Sequence, residues 1–219
     1  MGNKKLSLWD DILNPKQGKK AAQEKPQTPE WEVTTRNADG TPGIICKNGK
    51  EWLDADKTWI SPSGEYMLHE GMDTNANDVI ALTRKDEGLR IRKIEELVAS
   101  ALITDAGTGY ALTEDGVLHI LTAEKASQRK MCEDYGPNAC LITPELCAVI
   151  YDTDSDDDLE AAIIKVLELE TLKGWKKKIK YRTTAHGALS FKIELAGDTI
   201  VATMPDENVH KFRKDGKQE

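Results

Sequence analysis

One short pattern recurs along this chain and constrains its fold more than any other feature. An isoleucine is followed by a turn of small and polar residues and then by a second apolar run. It reads Ile60-Ser-Pro-Ser-Gly64 before Glu65-Tyr-Met-Leu68, and Ile103-Thr-Asp-Ala-Gly107 before Gly109-Tyr-Ala-Leu112. It returns as Ile142-Thr-Pro-Glu145 before Cys147-Ala-Val-Ile150, and as Ile193-Glu-Leu-Ala-Gly197 before Thr199-Ile-Val-Ala202. The isoleucines lie 43, 39 and 51 residues apart. Short apolar runs bounded by Gly, Pro and Asp read as strands joined by tight turns. A β-unit that returns about every 40 residues implies one supersecondary structure stacked several times. The long third spacing is accounted for by an acidic insertion at Asp152–Asp158.

The second half of each unit echoes too: Asp78-Val-Ile-Ala-Leu82, Gly116-Val-Leu-His-Ile-Leu121, Ile163-Ile-Lys-Val-Leu-Glu-Leu169 and Asn208-Val-His-Lys-Phe212. Behind the first three stands a Lys- or Arg-rich segment: Leu89–Ile94, Gln128–Met131 and Trp175–Tyr181. Such strands suit the open edge of a sheet, where charge blocks pairing with another chain. The fourth unit lacks this strand. Trp31–Thr35 or Gly43–Lys47 is expected to supply it, which would remove two open edges at once.

These units resemble β-propeller repeats of the WD40 or quinoprotein-like kind over about residues 31–216. The segment Ile164-Lys-Val-Leu-Glu-Leu-Glu-Thr-Leu-Lys-Gly-Trp175 is similar to a propeller third strand, turn and fourth strand. The Gly-His and Trp-Asp signatures of WD40 are absent, so the resemblance implies architecture and assigns no functional residue. The expectation is an all-β, propeller-like array of about four four-stranded blades, the last closed by an N-terminal strand. One segment competes with it. Residues 158–173 have acidic N-cap candidates and apolar residues at 159, 163, 166 and 167. A helix there would make the fold α+β, but the matching places in neighbouring units read as strand.

Residues 1–30 have a different texture. Leu6, Trp9, Ile12 and Leu13 fall on one helical face of a short amphipathic island at 6–13, ended by Asn14-Pro15. Lys16 to Glu30 has almost nothing to bury and reads as a disordered linker. The chain therefore divides into an arm at 1–30 and a β-repeat domain at 31–219. The four apolar residues are the candidate partner-binding set, since an anchor helix docks through such a face.

Net charge is −8, which argues against nucleic acid, whose phosphates are held by Lys and Arg. No apolar run is long enough to span a bilayer. Cys46, Cys132, Cys140 and Cys147 match no zinc spacing, and a cytoplasmic protein with reduced thiols is expected. The run Asp152–Asp158 fails the EF-hand frame, with Asp157 where Gly is needed and Ile163 where a bidentate Glu is needed. A solvated hairpin tip is expected there. His119 and His210 occupy the same place in two units, and half-exposed strand positions explain both. The segment Gly107-Thr-Gly109 reads as a tight turn rather than a phosphate loop. Trp52 and Trp59 read as core or blade-covering residues, and Lys173–Lys180 as a charged edge.

No nucleophile elbow, metal motif or phosphate loop is present, so no cofactor and no catalytic residue are assigned. The expected function is a non-catalytic protein-interaction or scaffold module whose partner is another protein. One alternative is an enzyme or ligand-binding protein with a site at the propeller mouth, built from scattered residues such as His119, His210 and Asp105. Another is a structural subunit of a larger complex, or a homodimer sharing one ring.

Overall fold

The alternation of apolar runs and turns folds into strands throughout. The computed structural model describes residues 28–133, 136–153, 160–182 and 190–219, and among these there is no helix. Four antiparallel sheets follow one another in chain order. The first holds six strands: β1 (Trp31–Val33), β2 (Ile44–Lys47), β3 (Lys50–Ile60), β4 (Tyr66–Met72), β5 (Asp78–Arg84) and β6 (Glu87–Lys93). The second holds β7 (Val98–Ile103), β8 (Gly109–Thr113), β9 (Val117–Leu121) and β10 (Ala126–Lys130). The third holds β11 (Ala139–Ile142), β12 (Leu146–Thr153), β13 (Glu160–Glu168) and β14 (Gly174–Tyr181). The fourth has three: β15 (Lys192–Ala196), β16 (Thr199–Thr203) and β17 (Val209–Arg213).

One turn geometry is reused. The N–H of the fourth residue donates to the C=O of the first in Asn37–Gly40, Ser61–Gly64, Thr104–Gly107, Thr113–Gly116 and Arg213–Gly216. In each the fourth residue has positive φ, from 74° at Gly64 to 85° at Gly40, the conformation that glycine adopts without a Cβ penalty. Gly107 therefore turns the chain, as its sequence context implies.

The sheets pack face to face, each on its neighbour. One apolar cluster joins the first and second sheets through Leu68, Ile80 and Leu82 against Val98, Ala111 and Leu121. A second joins the second and third through Leu112, Leu118 and Ile120 against Cys147, Val149 and Ile163. A third joins the third and fourth through Ile150, Ile164 and Ile179 against Ile200, Ala202 and Phe212. None of these clusters joins the fourth sheet to the first.

The expected ring closure is overturned. β1 pairs with β2, and β2 with β3, so neither N-terminal strand reaches the last sheet. The first sheet instead curls on itself. Bulges at Ile45/Cys46, Ala55/Lys57 and Leu82/Thr83 bend it, because an extra unpaired residue increases local twist. The curl brings the Trp31 ring against Gly88 of β6, where a Cβ would lie 2.5 Å from the ring edge. Trp31 meets Trp52 edge-to-face at 5.2 Å, and Arg36 pairs with Asp86 at 3.7 Å. The enclosed cluster is Ile45, Leu53, Ala55, Val79 and Ala81. That face of β5 is the one a closed ring would offer to the last sheet. The chain covers it with its own β1–β2 hairpin, as terminal repeats of stacked arrays are capped.

Two further expectations change, and one competing reading is settled. The strand counts are six, four, four and three rather than four each. The competing helix at 158–173 gives way to the favoured strand over its described part, which is β13 and the turn into β14. In the fourth unit the turn follows Ala196, three residues later than the Ile193 alignment places it, because Gly197-Asp198 makes a two-residue hairpin between paired Ala196 and Thr199. The Lys- and Arg-rich strands do lie at sheet edges, as β6, β10 and β14.

A buried carboxylate fastens the first sheet to the second. Glu70 on β4 is 4% exposed. Its Oε1 accepts the Val98 N–H at 2.6 Å, and Lys57 Nζ at the β3 bulge stands 2.9 Å from Oε2. Removing the carboxylate strands a buried N–H. Glu70→Ala is expected to cost about 2–3 kcal/mol, read as a lower urea midpoint. Lys57→Ala should destabilise as well, because it leaves the buried Oε2 carboxylate oxygen without its counter-ion. An unchanged urea midpoint for Glu70→Ala would contradict this assignment.

Candidate functional site

Within each sheet antiparallel pairing sends the turns after its first and third strands to one end, and the Ser63–Asp105 bond and the shared Pro144 bring those ends of neighbouring sheets together. Two grooves open there. The larger, about 710 Å³, lies between the third and fourth sheets. Its floor is Leu146, Val166 and Trp175, and its walls are the turns carrying Glu145, Glu168, Glu170 and Asp215. The smaller, about 590 Å³, lies between the first and second sheets against Trp59, Ile60, Pro62 and Leu102. Pro144 lines both, so the two grooves adjoin.

Trp175 is placed by three contacts. Its Nε1–H donates to the Lys214 C=O at 2.8 Å, its ring lies 5.3 Å from Phe212, and Gly216 sits beneath it. The Lys214 ammonium donates to Glu145 at 2.5 Å and Asp198 at 2.8 Å. These bonds, Asp198 first, raise its pKa above the ordinary lysine value. Four carboxylates and two lysines line the larger groove, and one of those lysines is already paired. In the smaller groove the charged group is Asp105. It accepts the Ser63 N–H at 2.8 Å, which ties the first two turns together and holds its carboxyl below the ordinary range. Ile60 is 50% exposed on the rim.

His119 and His210 do hold equivalent places, each third after the positive-φ residue of its turn and each in the third strand of its sheet. They are not brought together. His119 lines a separate cleft of about 410 Å³ with Arg92, Asp115 and Gln128. Burial, and then the Arg92 charge, push its pKa down to about 4. His210 stacks on Phe212 beside the third sheet. Asp105 lines a different groove from either. The mouth site imagined from these three residues is therefore not assembled. His186 and the partner-binding set Leu6, Trp9, Ile12 and Leu13 lie outside the described residues, as do positions 154–158 of the acidic insertion.

Burial pushes the Cys132 and Cys147 thiols up to about 12, the direction that removes thiolate reactivity. Among the described residues, no three His, Cys, Asp or Glu side chains converge to hold a metal ion. No described helix is long and apolar enough to cross a membrane. Sequence reasoning missed Pro144, Lys214 and Asp215, and read Trp175 only as part of an edge strand. Trp52 packs in the cap, while Trp59 sits at a groove.

No protein-family model and no curated protein matches the sequence. Among solved structures, the chain is similar to the Neurospora crassa Pan2 WD40 domain, at 12% identity and a TM-score of 0.43, over 81% of this chain and 55% of that one. It is also similar to the computationally designed Ika8 protein, at 10% identity and a TM-score of 0.37, over 80% of this chain and 67% of that one. The chain thus spans about half the length of the WD40 domain it matches.

Proposed function

We propose that this chain is a non-catalytic protein-interaction module: a propeller-like array of β-sheets, open rather than closed, that receives another protein at its turn end. The observation that carries this reading is the pair of adjoining grooves with apolar floors, crossing from Trp59 to Trp175 over Pro144. Such a surface buries an apolar segment of a partner while its polar walls set orientation. The N-terminal arm, through Leu6, Trp9, Ile12 and Leu13, supplies a second contact on a linker, and two linked contacts raise avidity.

Tagged full-length chain, a chain lacking residues 1–27 and Ile60→Asp are to be compared as baits in lysate of the native cell. Ile60 is half-exposed, so the substitution should leave the melting temperature unchanged. The full chain should capture partners that both variants lose or retain weakly. Equal recovery by all three baits would refute the reading. A second copy pairing on the outer face of the fourth sheet, whose Val201 and Val209 lie off the shared core, is a second form of the same reading. A dimer mass by light scattering supports that form, and a monomer mass ends it.

A further inference from the structure

We infer that the occupant of the adjoining grooves is an extended peptide segment that alternates apolar and basic side chains. This inference rests on the interaction-module reading and adds the chemistry of the partner.

The floor demands the apolar half of the pattern. Leu146 and Val166 are each 3% exposed and close the bottom of the larger groove, with the half-buried Trp175 ring beside them. Trp59 and Leu102 do the same in the smaller one. The walls demand the basic half. In the larger groove Lys214 is neutralised by Glu145 and Asp198. Glu168 and Glu170 then stand at the β13–β14 turn with Lys173 the one ammonium beside them, while Asp215 on the facing wall is already paired with Arg213 at 3.8 Å and Lys217 at 3.6 Å. In the smaller groove the lining has one carboxylate, Asp105, and no cation. Both grooves therefore carry net negative charge over an apolar floor. An acidic segment would meet the like charge of Glu168 and Glu170, and a purely apolar one would leave that pair with Lys173 as its one cation in the groove.

The shape demands an extended form. The path bends over Pro144 between turns of the first, second, third and fourth sheets, and is lined by turns rather than by one long face. In an extended segment successive side chains point to opposite sides. Every second residue can then face the floor, while the Lys or Arg side chains between them leave the groove and their long stems bend to the exposed carboxylates at its rim.

The test uses the full-length protein labelled with nitrogen-15. The probe is an eight-residue peptide alternating leucine or isoleucine with lysine or arginine, beside a second peptide with glutamate at every basic position. The readouts are the indole N–H signals of Trp59 and Trp175, assigned by tryptophan-to-phenylalanine variants. The basic peptide should move both signals and bind roughly tenfold tighter at 50 than at 300 mM salt. Glu168→Lys combined with Glu170→Lys, both exposed positions, should weaken it roughly tenfold. Undiminished binding by that variant would overturn the assignment of the carboxylate wall. If only the acidic peptide moves the indoles, the chemistry is wrong and the groove reading stands. If neither peptide moves them, both fall.

Discussion

Replacing Phe212 with alanine is expected to cost about 3–5 kcal/mol and to release the fourth sheet while leaving the first two in place. Phe212 is 1% exposed and sits at the centre of the cluster between the third and fourth sheets. Its ring packs on Trp175, and its strand pairs it with Ile200. The buried core of the fourth sheet is the one it shares with the third. In a stack held by nearest-neighbour interfaces, the loss is confined to the last interface. Native-state hydrogen exchange measures this directly. Amides of β15–β17 should lose protection by the full amount, and those of β4, β5, β8 and β9 should keep theirs. Equal loss across all four sheets would mean a single cooperative ring and would contradict the open array.

The strands and turns of this array were legible because their causes are local. Each recurring turn needs one residue with positive φ, and Gly64, Gly107 and Gly116 stand where that geometry requires them. The edge strands were legible from alternating Lys and Arg, a pattern that depends on no distant partner. The fourth unit misled the alignment for a local reason as well. Its two-residue Gly197-Asp198 hairpin is shorter than the turns before it, so the matching isoleucine falls inside β15 rather than at its end.

Ring closure was not legible, because it depends on which of several polar-edged strands β1 and β2 would choose. The choice is made by contacts far apart in sequence: the Trp31 ring on Gly88, and Ile45 and Leu53 against Val79 and Ala81. A bulge residue such as Asp56 carries no mark in the sequence, yet three bulges bend the first sheet far enough for its edges to meet. The grooves were hidden for the same reason. Pro144 and Lys214 come from two separate turns and Trp175 from the start of β14, and each alone is an ordinary turn or strand residue. They become a surface only when the third and fourth sheets are packed.

Acidification from pH 6.5 to pH 4 is expected to remove several kcal/mol of stability through two buried histidines. His69 is fully buried, with Nδ1 2.8 Å from Thr58 Oγ1 and Nε2 3.0 Å from Thr83 Oγ1. A hydroxyl can donate or accept, so both threonines satisfy the neutral ring. Burial pushes its pKa down to about 4. His119 is 5% exposed, its Nδ1 has no hydrogen-bond partner, and burial with the Arg92 charge holds it at about 4 too. In the unfolded chain both titrate near about 6.5. The unfolded state therefore takes up protons first as pH falls. Stability is fully present above about pH 6.5, drains between there and about pH 4, and is gone below. Each histidine contributes about 3 kcal/mol over that window. The exposed carboxylates do not mask the effect. Backbone N–H bonds hold Asp73 and Asp105 below the ordinary carboxylate range, so they protonate later. Urea titrations at pH 7, 6 and 5 should show a steady fall, and His119→Gln should roughly halve its slope. A midpoint that stays constant from pH 7 to pH 5 would show that neither ring is held neutral by the fold.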